Sequence, residues 1–363
     1  LTWKKLAWSN VLMKNKNLYY ATDKNIFDAL HHKRVTSKIL HEILFSKGII
    51  VSDSLDKEVL IEEVCRLPLC FSDLERIKDL VQTYDKRESN TYAKLDTTFT
   101  QEEIKKAAEA VKKHYATKSE KLVIRTKKDG SIDIELDYED IDLSRTELRQ
   151  IDKRSLSLEL KINDDGVDIR MPQLQKSKDL VSLLQKELTT LTNKVIERFE
   201  LSLEAITEPA LRSQFFRELI DGLDGYEVDD VTNIELNRIK ASESEDIDDA
   251  DEIDTSFVKK VLLKGAAVDS SKIFAQLHSK GYYISRIAWA SKPTIIQGDR
   301  IQVEAFFKNA DTCNDFSYQI KGINNYKIDK HNITTRAAND TEKKAISLLI
   351  ENAAMSAYNT IKS

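Results

Sequence analysis

Glu159 and Lys161 are the residues of this 363-residue chain whose types and spacing come closest to a catalytic pattern. They stand two positions apart in a segment where Leu156, Leu158 and Leu160 alternate with polar residues, which predicts a β-strand with both charges on one face. A carboxylate beside an ammonium group can take part in metal-assisted hydrolysis. The same alternation turns both side chains toward solvent, where cross-strand ion pairs are common. The sequence leaves both interpretations open.

The spacing of these two residues is similar to the acid-x-lysine triplet of PD-(D/E)xK nucleases. That resemblance implies that Glu159 would hold a divalent metal such as Mg²⁺ and that Lys161 would polarise the attacking water. Asp137 or Asp140 would be the other metal ligand. The hypothesis predicts metal-dependent cleavage of nucleic acid that Glu159→Ala and Lys161→Ala each abolish. Outside it, the sequence requires no cofactor and no metal, because no His, Cys or carboxylate spacing matches a metal-binding template.

An acidic stretch divides the charge of the chain. Residues 241–254 carry eight carboxylates and no Lys or Arg, which predicts a solvated linker because such a run repels itself and buries little. Residues 255–363 carry 16 Lys and Arg against 9 Asp and Glu, a net charge of +7, whereas residues 1–240 carry 40 against 44, a net charge of −4. We hypothesise that the linker competes with polyanions for the basic region. Deleting residues 243–254 would then tighten nucleic-acid binding.

Basic residues near both ends of the chain predict contact with nucleic acid or with an acidic partner. Residues 1–40 combine a net charge of +6 with aromatic residues such as Trp3 and Trp8, and cations bind phosphates while rings stack on bases. The alternative for this segment is an arm that packs on the body. The expected first contacts are Lys4, Lys5, Lys33, Arg34, Lys259, Lys260, Lys264, Lys272, Lys280, Arg286, Lys343 and Lys344. The pattern favours a non-catalytic binding or scaffold subunit, with a protein-interaction subunit that contacts no nucleic acid as a further alternative.

A helix, a glycine, an extended link and a second helix follow one another over residues 36–68. This arrangement resembles the SAP motif, a short helical DNA-binding module, and the resemblance implies a DNA contact. The matching residues are Leu40, Leu44, Gly48, Lys57, Leu60, Ile61 and Leu67. Acidic residues occupy the second helix where DNA-binding versions are basic, namely Asp56, Glu58, Glu62 and Glu63. A helical hairpin that only packs on its neighbours is therefore the alternative.

The spacing of hydrophobic residues predicts an α+β protein. Residues 1–119 indicate a helical amino-terminal region and residues 120–240 a central α+β domain. The acidic linker, 241–254, then leads to a separate basic α-β-β-β-α domain over residues 255–363.

The central domain is expected to hold an antiparallel sheet built from two β-hairpins and long helices. Asp129-Gly130 and Gly166 supply the turns, because tight hairpin turns require a positive φ. The pattern also predicts a helix around residues 145–153 and one long helix over residues 174–208.

Cysteine usage and hydropathy predict a cytoplasmic protein. Cys65, Cys70 and Cys313 are too few and too scattered for a disulfide framework. The apolar runs are much shorter than the roughly 18 residues of a membrane span, and the amino terminus lacks the apolar core of a signal peptide. We therefore expect no membrane association.

Overall fold

The structure is a computed structural model that divides into two compact units. Unit 1 comprises Leu1–Lys86, Glu109–Ile124 and Ile134–Ser157, and unit 2 comprises Arg87–Ala108, Arg125–Asp133 and Leu158–Ser363. The residues described are 22–81, 88–116, 120–146, 148, 150–238, 258–265, 271–295, 297–327 and 329–362. The predicted contacts Lys4 and Lys5 and the acidic stretch 241–254 lie outside the described residues.

Among the described residues of unit 1, four helices pack around one apolar core. They are α1 (Asp23–Leu30), α2 (Ser37–Ser46), α3 (Lys57–Cys65) and α4 (Phe71–Val81). Hydrophobic residues at helical spacing bring Leu30, Leu44, Leu60 and Ile77 to at most 1% exposure. Burying these side chains is the main stabilising contribution to this unit. The helical amino-terminal region is confirmed.

The remaining elements complete an α+β fold, as predicted. They are β1 (Asn90–Leu95), α5 (Gln101–Ala116), β2 (Lys121–Thr126), β3 (Ile132–Ile141), β4 (Ile151–Asn163), β5 (Gly166–Pro172), α6 (Gln175–Thr192), β6 (Arg198–Glu200), α7 (Pro209–Asp221), β7 (Tyr226–Arg238), β8 (Lys260–Lys264), α8 (Lys272–Ser279), β9 (Tyr282–Pro293), β10 (Arg300–Asn309), β11 (Asn314–Asn324), β12 (Tyr326–Lys327), β13 (Lys330–His331) and α9 (Asp340–Lys362). Among the described residues, no helix is both long and apolar enough to cross a membrane.

The two predicted hairpins are present. β2 and β3 are neighbours, joined by a turn in which Gly130 has φ +84°. β4 pairs with β5 through the register Ile162↔Val167, next to the turn at Gly166. A Cβ at Gly166 would lie 2.2 Å from the carbonyl oxygen of Leu95, so the close approach of β1 requires a glycine there.

The strands of unit 2 form a large antiparallel sheet. Their order is β4-β5-β1-β11-β10-β9-β7-β8, and β6 also pairs with β1. β7 precedes the acidic stretch, whereas β8 and β9 follow it. Both of these strands pair with β7, through the registers Asn233↔Lys264 and Ile234↔Ile287. The segments on either side of the acidic stretch therefore share one sheet.

Helices cover one face of this sheet. The register places Ile234, Ile287, Ala305 and Tyr318 side by side on four neighbouring strands, and each is at most 1% exposed. They belong to one apolar core with α7, α8 and α9, to which Phe216 of α7 also contributes. Side chains at the alternate positions of these strands point to the opposite face.

We call this opposite face the polar sheet face. It consists of Asn233, Glu235, Lys260, Leu262, Lys264, Arg286, Ala288, Glu304, Phe306, Gln319 and Lys321. Within it, Glu235 lies opposite Arg286 and Arg286 lies opposite Phe306. Charged and aromatic side chains thus lie side by side on this face, opposite the buried core side chains of the same strands.

Strand β1 falls where the pattern predicts only helices. Ala93 and Leu95 are fully buried and lie opposite Ile169 and Val167 of β5. The strand has only six residues, and its partner on β5 is more than 70 residues away. A local pattern this short does not distinguish a strand from a loop.

The predicted helix over residues 174–208 is wrong in its second half. α6 ends at Thr192, and Asn193 has φ +53°, a left-handed conformation that commonly ends helices. Phe199 instead belongs to β6 and lies opposite Lys94 of β1.

The predicted helix around residues 145–153 is also wrong. The Asp142 carboxylate accepts hydrogen bonds from the backbone N–H and the hydroxyl of Ser144, which favours a turn over a helix. β4 then begins at Ile151.

The start of α9 is fixed by a capping box. The Asn339 side chain accepts a hydrogen bond from the Glu342 backbone N–H at 2.9 Å, and the Glu342 carboxylate accepts one from the Asn339 N–H at 2.8 Å. The same carboxylate accepts two hydrogen bonds from the Arg336 guanidinium, at 2.6 and 2.7 Å. These bonds from Arg336 lower the pKa of Glu342 to about 2.

This depressed pKa predicts acid-sensitive stability. A carboxyl whose folded pKa lies below its unfolded value stabilises the fold above the unfolded pKa, and that contribution is lost as pH falls from about 5 to about 2. Glu342→Gln should therefore lower the free energy of unfolding by about 1 kcal/mol at pH 7, since the site is partly solvated. Thermal unfolding across this pH range should show a flatter loss of stability in the variant. Glu102→Gln, on the exposed face of α5, is the control, and an unchanged pH profile for Glu342→Gln would contradict this assignment.

Candidate functional site

Glu159 lies in a row of polar side chains that crosses three strands. On β4 it is flanked by the buried Leu158 and Leu160, as the alternation predicts. It lies opposite Arg170 of β5, which in turn lies opposite Tyr92 of β1. This face is not open solvent, because side chains of α9 contact it.

Three cations hold the Glu159 carboxylate. Oε1 accepts hydrogen bonds from Lys127 Nζ at 2.8 Å and lies 3.0 Å from Lys344 Nζ, while Oε2 accepts one from Arg170 Nη1 at 2.9 Å. Burial would raise the pKa of Glu159, but the hydrogen bonds from Lys127 and Lys344 outweigh it and lower the pKa. Glu159 is therefore a charged acceptor at the centre of an ion-pair network.

Arg170 connects this network to α9. Its Nε and Nη2 each donate to one oxygen of the Glu351 carboxylate at 2.6 Å, and the Tyr318 hydroxyl donates to the same carboxylate at 2.5 Å. Burial opposes the charge on Arg170, yet the hydrogen bonds to Glu351 raise its pKa above the ordinary value. Since the Glu351 side chain is only 6% exposed, this is a desolvated, bidentate ion pair.

A cavity of about 270 Å³ opens above these residues, and we call it the charged cleft. Its lining residues are Tyr92, Asp129, Ser131, Glu159, Lys161, Asp168, Arg170, Lys344, Ala345, Leu348 and Glu351. All of them belong to unit 2. Leu348 of α9, an apolar residue of this lining, is 42% exposed.

Lys161 lines the charged cleft with an available ammonium group. Its cross-strand neighbour is Asp168, whose carboxylate accepts hydrogen bonds from two neutral donors, the Tyr92 hydroxyl and Asn163 Nδ2, each at 2.6 Å. Within the described ranges, Lys161 makes no ion pair.

The four residues of the nuclease hypothesis belong to two different units of the fold. Glu159 and Lys161 both line the cleft, while Asp137 is exposed on β3 in unit 1. Asp140 of unit 1 pairs with Arg154 at 3.2 Å. No group of three or more His, Cys, Asp or Glu side chains among the described residues is arranged to hold a metal ion. A divalent cation would have to displace the cations that already hold Glu159, so these residues do not fit a Mg²⁺ site.

Five of the ten predicted nucleic-acid contacts that the structure describes make ion pairs within the protein. The pairs are Lys259–Asp311 at 2.6 Å, Lys260–Glu235 at 2.8 Å, Arg286–Glu304 at 3.3 Å, Lys343–Asp340 at 3.3 Å and Lys344–Glu159 at 3.0 Å. Arg34 and Lys280 also have interaction partners. Lys33, Lys264 and Lys272 make no ion pair with any residue that the structure describes.

The polar sheet face brings together part of this predicted set. Lys260, Lys264 and Arg286 share the face, and the Arg286 guanidinium lies 4.0 Å from the centre of the Phe306 ring. Two further residues of the face, Phe306 and Lys321, were not predicted from the sequence; the Lys321 ammonium lies 2.5 Å from Glu304. Alternation within β10 and β11 could have placed both residues on one face, but only once the pairing of those strands was known.

The segment over residues 36–68 has the predicted succession of elements. α2 ends before Gly48, which has φ +77°, and α3 follows a link over residues 49–56 that includes a turn at 53–55. Phe45 and Ile50 beside this link are 71% and 84% exposed, and Val59 on α3 is 41% exposed. The segment therefore presents apolar residues to solvent.

The comparison with known protein families concerns this amino-terminal part of the chain. No curated protein matches the chain significantly. Residues 24–89 match a family model described as "GAPS4b protein N-terminal domain". The match spans most of α1 and all of α2, α3 and α4, and covers 66 of the 363 residues. The helical part of unit 1 is thus similar to the amino-terminal domain of GAPS4b proteins.

Proposed function

We propose that the chain is a non-catalytic binding subunit and that the polar sheet face of unit 2 contacts nucleic acid. The observation that carries this proposal is the grouping of Lys260, Lys264, Arg286 and Lys321 around Phe306 on one sheet face. These four cations outnumber the two carboxylates of the face, Glu235 and Glu304. Free thiols at all three cysteines support a cytoplasmic setting for this subunit.

The chemistry of this face suits a single strand more than a duplex. A flat sheet lets unstacked bases lie on an aromatic ring while cations at its margin bind the phosphates. Phe306 is half-buried and already stacked by Arg286, so ring and guanidinium together offer a platform for a base. Lys264, which makes no ion pair among the described residues, is free to bind a phosphate without breaking an internal contact.

The SAP-like segment supports nucleic-acid contact less strongly. Lys57 on α3 lies between Asp56 and Glu58, and Asp53 precedes them. None of these three carboxylates has an ion-pair partner among the described residues, so they would repel a phosphate backbone. We therefore assign the phosphate contacts to the polar sheet face.

Charge reversal at Lys264 should weaken nucleic-acid binding and its salt dependence. Lys264→Glu is expected to reduce the affinity of the full chain for a fluorescent single-stranded oligonucleotide about tenfold at low salt. The slope of log K against log salt should become shallower by roughly one, because one phosphate contact is lost. Fluorescence anisotropy at two or more salt concentrations measures both quantities.

Lys186→Glu is the matched control, because this exposed lysine of α6 carries the same charge but is not part of the polar sheet face. Equal losses in the two variants would show that binding responds to net charge alone. If the unmodified chain binds neither DNA nor RNA at low salt, the proposed contact is excluded and the protein-interaction alternative gains support.

A further inference from the structure

We propose that the charged cleft is a binding site for a small zwitterion with an apolar body, of the α-amino acid class. This site is separate from the polar sheet face and does not depend on the function proposed for it. Some charged groups of the cleft neutralise one another within the protein, and others retain charge or hydrogen-bonding capacity that a ligand can use. The groups that remain available, together with their charges, define the ligand.

The floor of the cleft is a closed network. Glu159 is held by three cations, and Arg170 and Glu351 bind each other through two parallel hydrogen bonds. The Tyr318 hydroxyl donates a further hydrogen bond to the Glu351 carboxylate. Because these groups satisfy one another's hydrogen-bonding capacity and charge, the floor is preorganised. A ligand would have to break these contacts to bind to the floor directly.

The available groups lie on the walls. Lys161 offers a free ammonium on the sheet side, and Lys344, 47% exposed with one partner, offers another on α9. Asp129, at the β2–β3 turn, and Asp168, on β5, provide carboxylates that hold only neutral donors. A carboxylate of a ligand fits the two ammonium groups, and a ligand ammonium fits the two carboxylates.

The rest of the wall is apolar. Leu348 exposes 42% of its surface, and Ala345 and the ring of Tyr92 also line the cleft. Leu348 follows Lys344 by one helical turn on α9, so the apolar and cationic groups lie on the same side of the helix. A ligand side chain placed here would cover apolar surface that is otherwise in contact with water.

Charge and size select the ligand class. The lining carries three cations and four carboxylates, because Lys161, Arg170 and Lys344 face Asp129, Glu159, Asp168 and Glu351. On the walls, outside the closed network of the floor, two ammonium groups face two carboxylates, so a zwitterion of zero net charge matches them, whereas a polyanion such as a nucleotide would be repelled by both carboxylates. The volume of about 270 Å³ lies at the lower end of ligand cavities, which suits a single amino acid.

Titration calorimetry of the full chain with L-phenylalanine and L-leucine tests the proposal. We expect saturable binding of at least one of them. The two analogues that each lack one charge, 3-phenylpropionate and 2-phenylethylamine, should bind at least about tenfold more weakly than L-phenylalanine, since each loses a charge-assisted contact.

Variants of the wall connect that binding to the cleft. Lys161→Met should weaken L-phenylalanine binding about tenfold, and Leu348→Asp should abolish it, while Lys186→Met on α6 should leave it unchanged. Both wall positions are exposed, so folding is not expected to limit these variants. Oligonucleotide binding should be the same in Lys161→Met and in the unmodified chain, which separates this site from the polar sheet face.

Several results would overturn the proposal. Absence of saturable binding by both amino acids excludes it. Equal binding of 3-phenylpropionate and L-phenylalanine would show a site for simple anions, and tighter binding of adenosine monophosphate would show a nucleotide site. Binding that Lys161→Met and Leu348→Asp leave unaltered would place the ligand elsewhere on the protein.

Discussion

Arg170→Met is expected to lower the free energy of unfolding by about 3–5 kcal/mol, because it leaves the nearly buried Glu351 carboxylate without its guanidinium partner. The Tyr318 hydroxyl would still donate to Glu351, but a single neutral donor does not replace a bidentate ion pair. Equilibrium unfolding in urea, followed by circular dichroism, measures the loss.

Two further variants separate the ion pair from simple loss of packing. The double variant Arg170→Met with Glu351→Leu should recover much of the stability, since replacing both partners by apolar groups removes the uncompensated charge. Arg198→Met removes the partly exposed pair with Glu200 at 3.0 Å and should cost at most about 1 kcal/mol. If Arg170→Met costs no more than Arg198→Met, the network does not stabilise the fold as described.

The adjacent residues Phe306 and Phe307 are expected to respond in opposite ways to the same substitution. Phe307 is 3% exposed, and its ring centre lies 5.5 to 5.7 Å from those of Phe215, Phe216 and Phe316. Phe307→Ala should therefore lower the free energy of unfolding by about 3–5 kcal/mol. Phe306→Ala, on the polar sheet face, removes a contact with Arg286 and should cost about 1 kcal/mol or less.

For nucleic-acid binding, we expect the Phe306 substitution to have the larger effect and the Phe307 substitution the smaller one. Phe306→Ala is expected to weaken the affinity for a single strand by several fold to tenfold, because a base loses its stacking partner. Phe307→Ala, measured at a temperature where it remains folded, should bind normally. The two residues are adjacent, of the same type and on the same strand, so a loss of binding in both variants would point to general destabilisation instead of a surface contact.

Local patterns predicted much of the secondary structure. The hairpin turn at Gly130 and the strands β9, β10 and β11 follow from turn chemistry and alternation. The local patterns did not predict the short strand β1 or the end of α6 before Asn193. β1 depends on pairing with distant strands, and an asparagine cap is a weaker signal than a glycine or proline.

In the candidate site, too, local patterns predicted some features and long-range contacts determined the others. Alternation in β4 correctly predicts that Glu159 points away from the leucine core. What lies on that side could not be predicted, because Lys344 and Glu351 come from a helix almost 200 residues later in the chain. Periodicity identifies which face a side chain occupies, whereas long-range packing decides which residues meet it.

The pairing of β7 with β8 has a consequence for the acidic stretch between them. The backbone N–H of Arg238 donates to the carbonyl of Lys259 at 3.0 Å, so the chain leaves and re-enters the sheet at neighbouring points. Eight carboxylates are therefore tethered at both ends to the edge that carries Lys260 and Lys264. Any competition with a polyanion at that edge is intramolecular and is governed by an effective concentration set by the tether, which does not change when the protein is diluted.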